Sequence, residues 1–236
     1  MSRKFYDVGL KYPSTCDTRS FLEEVKRLGY KGLAFASQAS PNEVGKIAEV
    51  CRKVGLDYVN RLDIVSSSAS HIKALLRRYR LEVELIVVHP LSVEAARLAA
   101  RDSRVDLLNF QERPELFEAT EAKMMAAHNR MLEINLRNMM LRIDEPDYLK
   151  IVRVYRRMIS LSQAFKVKLV ISSGASSPLE LRRPRDLASI LHLLGFEGDI
   201  YDPLSKNPFM IIETNRAKLS GKIAMRGVWI SDNEEA

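Results

Sequence analysis

The sequence predicts an α/β domain built as a TIM-like (β/α) barrel with an irregular closure. Three observations predict it. Short apolar runs alternate with segments of helical period along nearly the whole chain, and short connections between them imply a parallel sheet covered by helices. The length of 236 residues is close to the roughly 250 typical of such barrels. No Gly-x-Gly-x-x-Gly follows the first strand, which removes the main support for an open dinucleotide-binding sheet. A hydrophobic content of 46% suffices for a full core. We expect one domain over residues 1–230 and a frayed acidic tail over 231–236.

Phe5-Tyr6-Asp7-Val8 reads as the first strand, and Phe21, Leu22, Val25 and Leu28 form the apolar face of the next helix. Gly29 stops that helix and a second strand spans 32–36. Ser40-Pro41-Asn42-Glu43 is a helix start, with Ser at the cap, Pro at the first position and Glu three after the cap. Val44, Ile47, Ala48, Cys51 and Val54 line its buried face. A third strand is expected over 58–64 and a fourth over 83–88, separated by a helix with Ile72, Leu75, Leu76 and Tyr79 inward. Ser92 caps the next helix, which turns Ala95, Ala96, Leu98 and Ala99 inward. A fifth strand over 105–110 and a sixth over 132–135 follow. A helix from Pro146 buries Tyr148, Ile151, Tyr155, Met158 and Phe165, and residues 168–171 are a seventh strand. Arg226-Gly227-Val228-Trp229-Ile230 could close the sheet or pack elsewhere.

The most informative stretch follows the seventh strand. Ser172-Ser173-Gly174-Ala175 must turn the backbone. Pro184 then opens a helix carrying Leu187, Ile190, Leu191 and Leu194 until Gly195. The loop between holds Arg182, Arg183 and Arg185. Backbone N–H groups, hydroxyls and guanidinium forks together suit phosphate oxygens; a solvated basic loop with a helix cap is the plainer alternative.

The chain has 37 Lys and Arg against 30 Asp and Glu, a net charge of +7. That suits a polyanionic partner without requiring one. Lys73, Arg77 and Arg80 form a stripe on one helix, as do Arg97, Arg101 and Arg104, and Lys150, Arg153 and Arg157; each also fits a solvated helix face. Arg113, in the loop after the fifth strand, and the segment from Lys123 through His128 to Arg130 add basic groups expected near the barrel mouth. Aromatics are sparse there, so a folded RNA bound by shape and phosphates fits better than a stacked single strand. Only Cys16 and Cys51 are present, which suggests a reduced, cytoplasmic chain. No signal peptide or membrane span is evident.

Function in such a barrel sits at the carboxyl ends of the strands, where Asp7, Asp63, His89, Gln111, Asn135, Ser172 and Ser173 fall. Asp7, Asp63 and His89 could form a depleted metal site, the basis of an alternative reading as a stand-alone metal-dependent phosphoesterase. Polar contacts at the barrel mouth are the simpler expectation, because no His-x-His or His-Glu-x-x-His pair is present. No phosphate loop of the Gly-x-x-x-x-Gly-Lys type and no Gly-x-Ser-x-Gly turn occurs either. We therefore expect no catalytic residues and no metal on the protein.

The chain resembles the ribonuclease P protein component 3 family, the archaeal counterpart of the thirty-kilodalton ribonuclease P subunit of eukaryotes. The resemblance runs through Phe5-Tyr6-Asp7, Leu28-Gly29-Tyr30-Lys31-Gly32-Leu33-Ala34-Phe35, Val105-Asp106-Leu107-Leu108-Asn109-Phe110 and Leu132-Glu133-Ile134. Its most specific part is Ile171-Ser172-Ser173-Gly174-Ala175 with Leu181-Arg182-Arg183-Pro184-Arg185-Asp186-Leu187. Asn207-Pro208, Asn215-Arg216 and Lys218-Leu219-Ser220 match the family's last helix. The resemblance implies a barrel related to metal-dependent phosphoesterases but without their His-x-His ligands. It also implies a subunit of the ribonucleoprotein endonuclease that removes 5′ leaders from precursor tRNA. The RNA would carry catalysis with Mg²⁺, and the chain would support it together with a small RRM-like subunit in a hetero-oligomer. Carried over by motif, Ser172, Ser173, Arg182 and Arg185 would face RNA or the partner. Arg183 joins them by its place in the loop, and Arg113, Lys123, His128 and Arg130 are further candidates.

Overall fold

The computed structural model of the chain describes residues 3–13, 16–36, 41–221, 223–225 and 228–229. Its first half runs β1 (Phe5–Leu10), α1 (Thr18–Arg27), β2 (Tyr30–Phe35), α2 (Pro41–Val54), β3 (Asp57–Tyr58), β4 (Arg61–Ser66), α3 (Ala69–Tyr79), β5 (Leu85–Pro90) and α4 (Val93–Arg101). Its second half runs β6 (Leu107–Asn109), α5 (Ala119–Ala127), β7 (Met131–Asn135), α6 (Arg137–Leu141), α7 (Tyr148–Ala164), β8 (Leu169–Ser172), α8 (Pro184–Leu193), α9 (Lys206–Leu219), β9 (Ile223–Met225) and β10 (Val228–Trp229). The Ser92 hydroxyl accepts from Ala95 N–H and so caps α4 as its sequence requires. The proposed cap Ser40 lies outside the described residues, as does the tail over 231–236.

β1, β2 and β3 form one parallel ladder, and β4 to β8 form another. The single strand expected over 58–64 is in fact two. Val59 N–H bonds back to Leu33 in β2, while the Asn60 carbonyl accepts from Glu84 and Leu85 beside β5. The chain changes ladder partner at that step, so the strand breaks there while keeping its place between β2 and β5. Among the described residues no ladder joins β8 to β1. The seam is crossed instead by Lys11 N–H to the Ala175 carbonyl at 2.9 Å and by Ser173 N–H to the Asp7 carboxylate at 3.2 Å. Among the described residues the carboxyl-terminal segment adds no stave to this wall. β10 pairs antiparallel with β9 in a separate two-stranded sheet, and Arg226, Gly227 and Ile230 lie outside the described residues.

Strand alternation sorts the apolar residues onto two sides. Ile86, Val88, Leu108, Leu132, Ile134, Leu169 and Ile171 pack outward beneath the helices. Tyr6, Val8, Leu85, Val87, Leu107, Met131 and Val170 fill the interior with Ile212 of α9. That helix plugs the amino-terminal pole. The buried amides of Asn207 and Asn215 bond the Leu169 and Glu84 carbonyls, at 2.8 Å each, and Asn215 also reaches Asp106 at 2.9 Å. Because it satisfies strand-end carbonyls with polar side chains, α9 lacks a clean apolar stripe and its periodicity does not announce it.

Candidate functional site

Charged residues interrupt the apolar lining of the barrel interior, from Arg61 at the amino end of β4 to Glu133 in the middle of β7. Arg61 and Asp63 of β4 and Glu133 of β7 stand at inward positions, and all three are buried. The Arg61 guanidinium lies between the carboxylates. It donates to Asp63 through Nε and Nη2 at 2.9 and 2.6 Å, and to Glu133 through Nη1 and Nη2 at 2.7 and 2.9 Å. Its Nη1 also reaches the Val8 carbonyl at 2.6 Å. Ser172 Oγ and Asn109 Nδ2 complete Glu133 at 2.9 and 3.1 Å, and His89 Nε2 meets Asp63 at 2.7 Å. Gly9 makes this close packing possible, because a Cβ there would collide with the Ser172 side chain and the Glu133 carboxylate.

The network is electrostatically divided. Burial alone would raise the Asp63 carboxyl, but Arg61 and then His89 outweigh it and hold it at about 2. Asp7, on the seam, forms no ion pair among the described residues. Burial pushes its carboxyl up to about 6, against the bonds from Ser173 and Gly9, and the Glu133 charge adds to the rise. Among the described residues no three His, Cys, Asp or Glu side chains come together as a metal-ligand set. Asp63 and His89 are bonded to each other, while Asp7 is engaged by the N–H groups of Ser173 and Gly9. The arrangement is a satisfied ion network, and it gives the phosphoesterase alternative no ligand set.

The loop after β8 is pinned rather than open. Gly174 takes φ 67°, where a Cβ would strike the Asn135 side chain. Arg137 donates to the Gly174 carbonyl at 2.7 Å and forks onto Glu180, which accepts from Ser176 N–H at 2.7 Å. Ser172 and Ser173, expected to face RNA or the partner, lie inside the fold. Both are fully enclosed, with Ser172 on Glu133 and Ser173 Oγ on Ala175 N–H. Arg182 is half-buried, and its Nη1 is held by the Leu179 and Leu181 carbonyls. Arg183 and Arg185 are exposed at the start of α8.

The remaining candidates do not join them in one surface. Arg113, after β6, pairs with Glu115. Lys123 is exposed on α5, an element whose weak Ala- and Met-rich pattern the sequence reading passed over. Since α5 runs back down the barrel wall, His128 and Arg130 end at the amino-terminal pole rather than at the mouth. Arg130 there clasps the His128, Ser103 and Val105 carbonyls. Several stripe residues are also structural. Arg80 bonds Asp106 and three carbonyls, Arg104 pairs with Asp102, and Arg97 pairs with Glu121. Sequence reasoning missed Arg61 and Glu133, although charges alternating with apolar residues in Arg61-Leu62-Asp63-Ile64 and Leu132-Glu133-Ile134-Asn135 were a readable signal. Cys16 and Cys51 are free. No helix among the described residues is long and apolar enough to cross a membrane.

Residues 4–220 match the family model described as RNase P subunit p30. The chain belongs to the RNase P subunit p30 family. Ribonuclease P protein component 3 of Aeropyrum pernix is 30% identical over 196 residues, covering 80% of this chain and 87% of that protein. The corresponding protein of Methanococcoides burtonii is 24% identical over 226 residues, covering 91% and 89%. The fold is similar to that of a chain in the cryo-EM structure of archaeal ribonuclease P with mature tRNA, with TM-score 0.83 and 17% identity over 98% of this chain and 100% of that one. A prolidase complexed with N-methylphosphonate-L-proline shares the fold more distantly, with TM-score 0.64 and 11% identity over 96% of this chain and 77% of that one.

Proposed function

We propose that this chain is a protein subunit of ribonuclease P, the ribonucleoprotein that cleaves precursor tRNA to generate mature 5′ ends. In this reading the chain binds and supports the catalytic domain of the ribonuclease P RNA, together with a small RRM-like partner subunit. The chemistry belongs to the RNA and its Mg²⁺. The observation that carries the reading is the family match over residues 4–220. The barrel interior supports a non-catalytic role, since Arg61, Asp63, Glu133 and His89 bond one another. Two surfaces suit the two kinds of partner. Arg183 and Arg185 offer exposed cations beside the pinned loop, and cations there would lower repulsion between packed RNA helices and so reduce the Mg²⁺ the RNA needs. Leu141, Ile143 and Leu149 are exposed on α6, α7 and the segment between them, which suits an apolar contact with a protein.

The test is precursor-tRNA cleavage at modest Mg²⁺ by ribonuclease P RNA and the small partner, with and without this chain. The expected result is a chain-dependent gain on the order of tenfold, shrinking as Mg²⁺ is raised. No gain from folded chain, or cleavage by the chain without RNA, would overturn the reading. If the gain survives Arg183→Ala and Arg185→Ala, the RNA contact lies elsewhere on the molecule.

A further inference from the structure

At the amino-terminal pole, away from the buried network, the ends of α5 and α7 and the flank of α9 enclose a hollow of about 440 Å³. Its lining includes Ser103, Asn129, Lys166, Lys168, Thr214 and Lys218, with the clasped Arg130 as part of the wall. A smaller hollow continues from it past Ser103 and Lys218 toward Arg80 and Arg104. The carboxylate in the wall, Asp106, is fully engaged: Arg80 and Ile86 N–H hold one oxygen and Asn215 holds the other. Lys166 and Lys168 form no ion pair among the described residues, and both are exposed. The hollow is therefore cationic, and its one buried acid is already neutralised.

A second observation singles out the same place. α5 and α7 both end in a left-handed residue, bridged by Arg130 N–H to Met125 and by Val167 N–H to Ser162. Elsewhere such positive-φ positions are glycine, at Gly29, Gly55, Gly195 and Gly221. At these two helix ends they are Asn129 (φ 55°) and Lys166 (φ 60°), the only non-glycine residues with positive φ among the described residues. A lysine resists this conformation, since its Cβ crowds the following carbonyl. The helix dipole favours a cation near a helix end but does not require it at the strained position. Asparagine adopts this conformation readily, so the strain is that of Lys166; both side chains line one hollow, and a lysine kept where glycine would be easier points to a use for its side chain.

We propose that this cleft holds the phosphate backbone of an RNA strand, with Lys166, Lys168 and Lys218 against phosphate oxygens and Asn129, Ser103 and Thr214 as neutral hydrogen-bonding groups. The proposal rests on the RNA-subunit reading above and adds a contact at the pole opposite the β8 loop. Phosphodiester is favoured because Lys166, Lys168 and Lys218 share the hollow with the neutral donors Ser103, Asn129 and Thr214, and charge-assisted bonds with neutral hydrogen bonds beside them suit phosphate oxygens.

The test uses full-length chain with ribonuclease P RNA, titrated over a salt series, and the reconstituted holoenzyme. Lys166→Gly removes the cation while relieving the backbone, so the variant should melt no lower than the native chain. Combined with Lys168→Ala, it should weaken RNA binding about tenfold and flatten the dependence of log affinity on log salt by about one per lysine removed. Lys168→Arg should retain binding. Native-like affinity and salt slope in the double variant, with the native chain still stimulating cleavage, would overturn the cleft and leave the RNA-subunit reading intact. Unchanged RNA affinity with weakened binding to the protein partner would overturn it in favour of an acidic protein segment. Failure of the native chain itself to bind RNA would instead sink the underlying reading.

Discussion

Arg61→Ala should destabilise the chain by about 3–5 kcal/mol, more than any surface substitution. The residue is buried between two carboxylates and makes five hydrogen bonds to Asp63, Glu133 and the Val8 carbonyl. Its removal leaves Glu133 with only neutral donors, and Asp63 with His89 alone. An uncompensated buried charge is the costly outcome, whereas removing both members of a pair is much cheaper. The double change Arg61→Met with Glu133→Leu should therefore recover a large part of the loss, since Asp63 keeps His89. Urea unfolding at neutral pH, with the slope checked for constancy, measures both. A loss below about 1 kcal/mol for Arg61→Ala would mean that water screens the site as it does a surface pair.

Between about pH 4 and pH 6 the stability of the native chain should fall relative to that of Asp7→Asn. The Asp7 carboxyl is held at about 6 by burial, against an ordinary value of 3.8. In that window the folded chain keeps a proton that the unfolded chain has released, so raising the pH favours unfolding, and the effect levels off above the folded value. At about 1.4 kcal/mol per pKa unit the whole displacement amounts to about 3 kcal/mol. Asp63 acts in the opposite sense. Held at about 2, it contributes stability above about pH 4 that is lost as the pH falls through its folded value. Asparagine at position 7 can still accept from Ser173 N–H but no longer titrates, so the Asp7 contribution vanishes from its profile. Parallel profiles for the two chains over pH 4 to 7 would show that Asp7 is solvated.

The alternation of strand and helix was legible where a helix has a wide apolar face, as Phe21, Leu22 and Val25 show on α1, and α5 and α9 escaped because theirs is weak. The glycine and proline punctuation at Gly29, Pro184 and Gly195 marked real boundaries. What could not be read came from long-range partners. The break at Val59-Asn60 depends on two neighbouring strands at once, and α9 is shaped by carbonyls at the ends of distant strands. The site was legible only as a location. Asp7 and Asp63 were placed at strand carboxyl ends, but nothing local says that the Arg61 side chain spans the barrel to Glu133, 72 residues away. The arginines of the β8 loop looked equivalent in sequence. Packing separates Arg182, whose guanidinium bonds carbonyls of its own loop, from the exposed Arg183 and Arg185. Lys166 gave no signal at all, because a left-handed lysine at a helix end is visible only in the backbone.

The most direct measurement is precursor-tRNA cleavage by reconstituted holoenzyme carrying Glu133→Gln, well below the variant's melting temperature and normalised to assembled complex. Glu133 sits where a barrel enzyme would place its chemistry, and Gln keeps the shape and one acceptor while removing the charge. If the interior only holds the barrel together, the cleavage rate per assembled complex should match the native value even though the variant is less stable. A drop of about a hundredfold or more with assembly intact would contradict this, since losses of that size accompany removal of an acid–base group, and would return the chemistry to the protein.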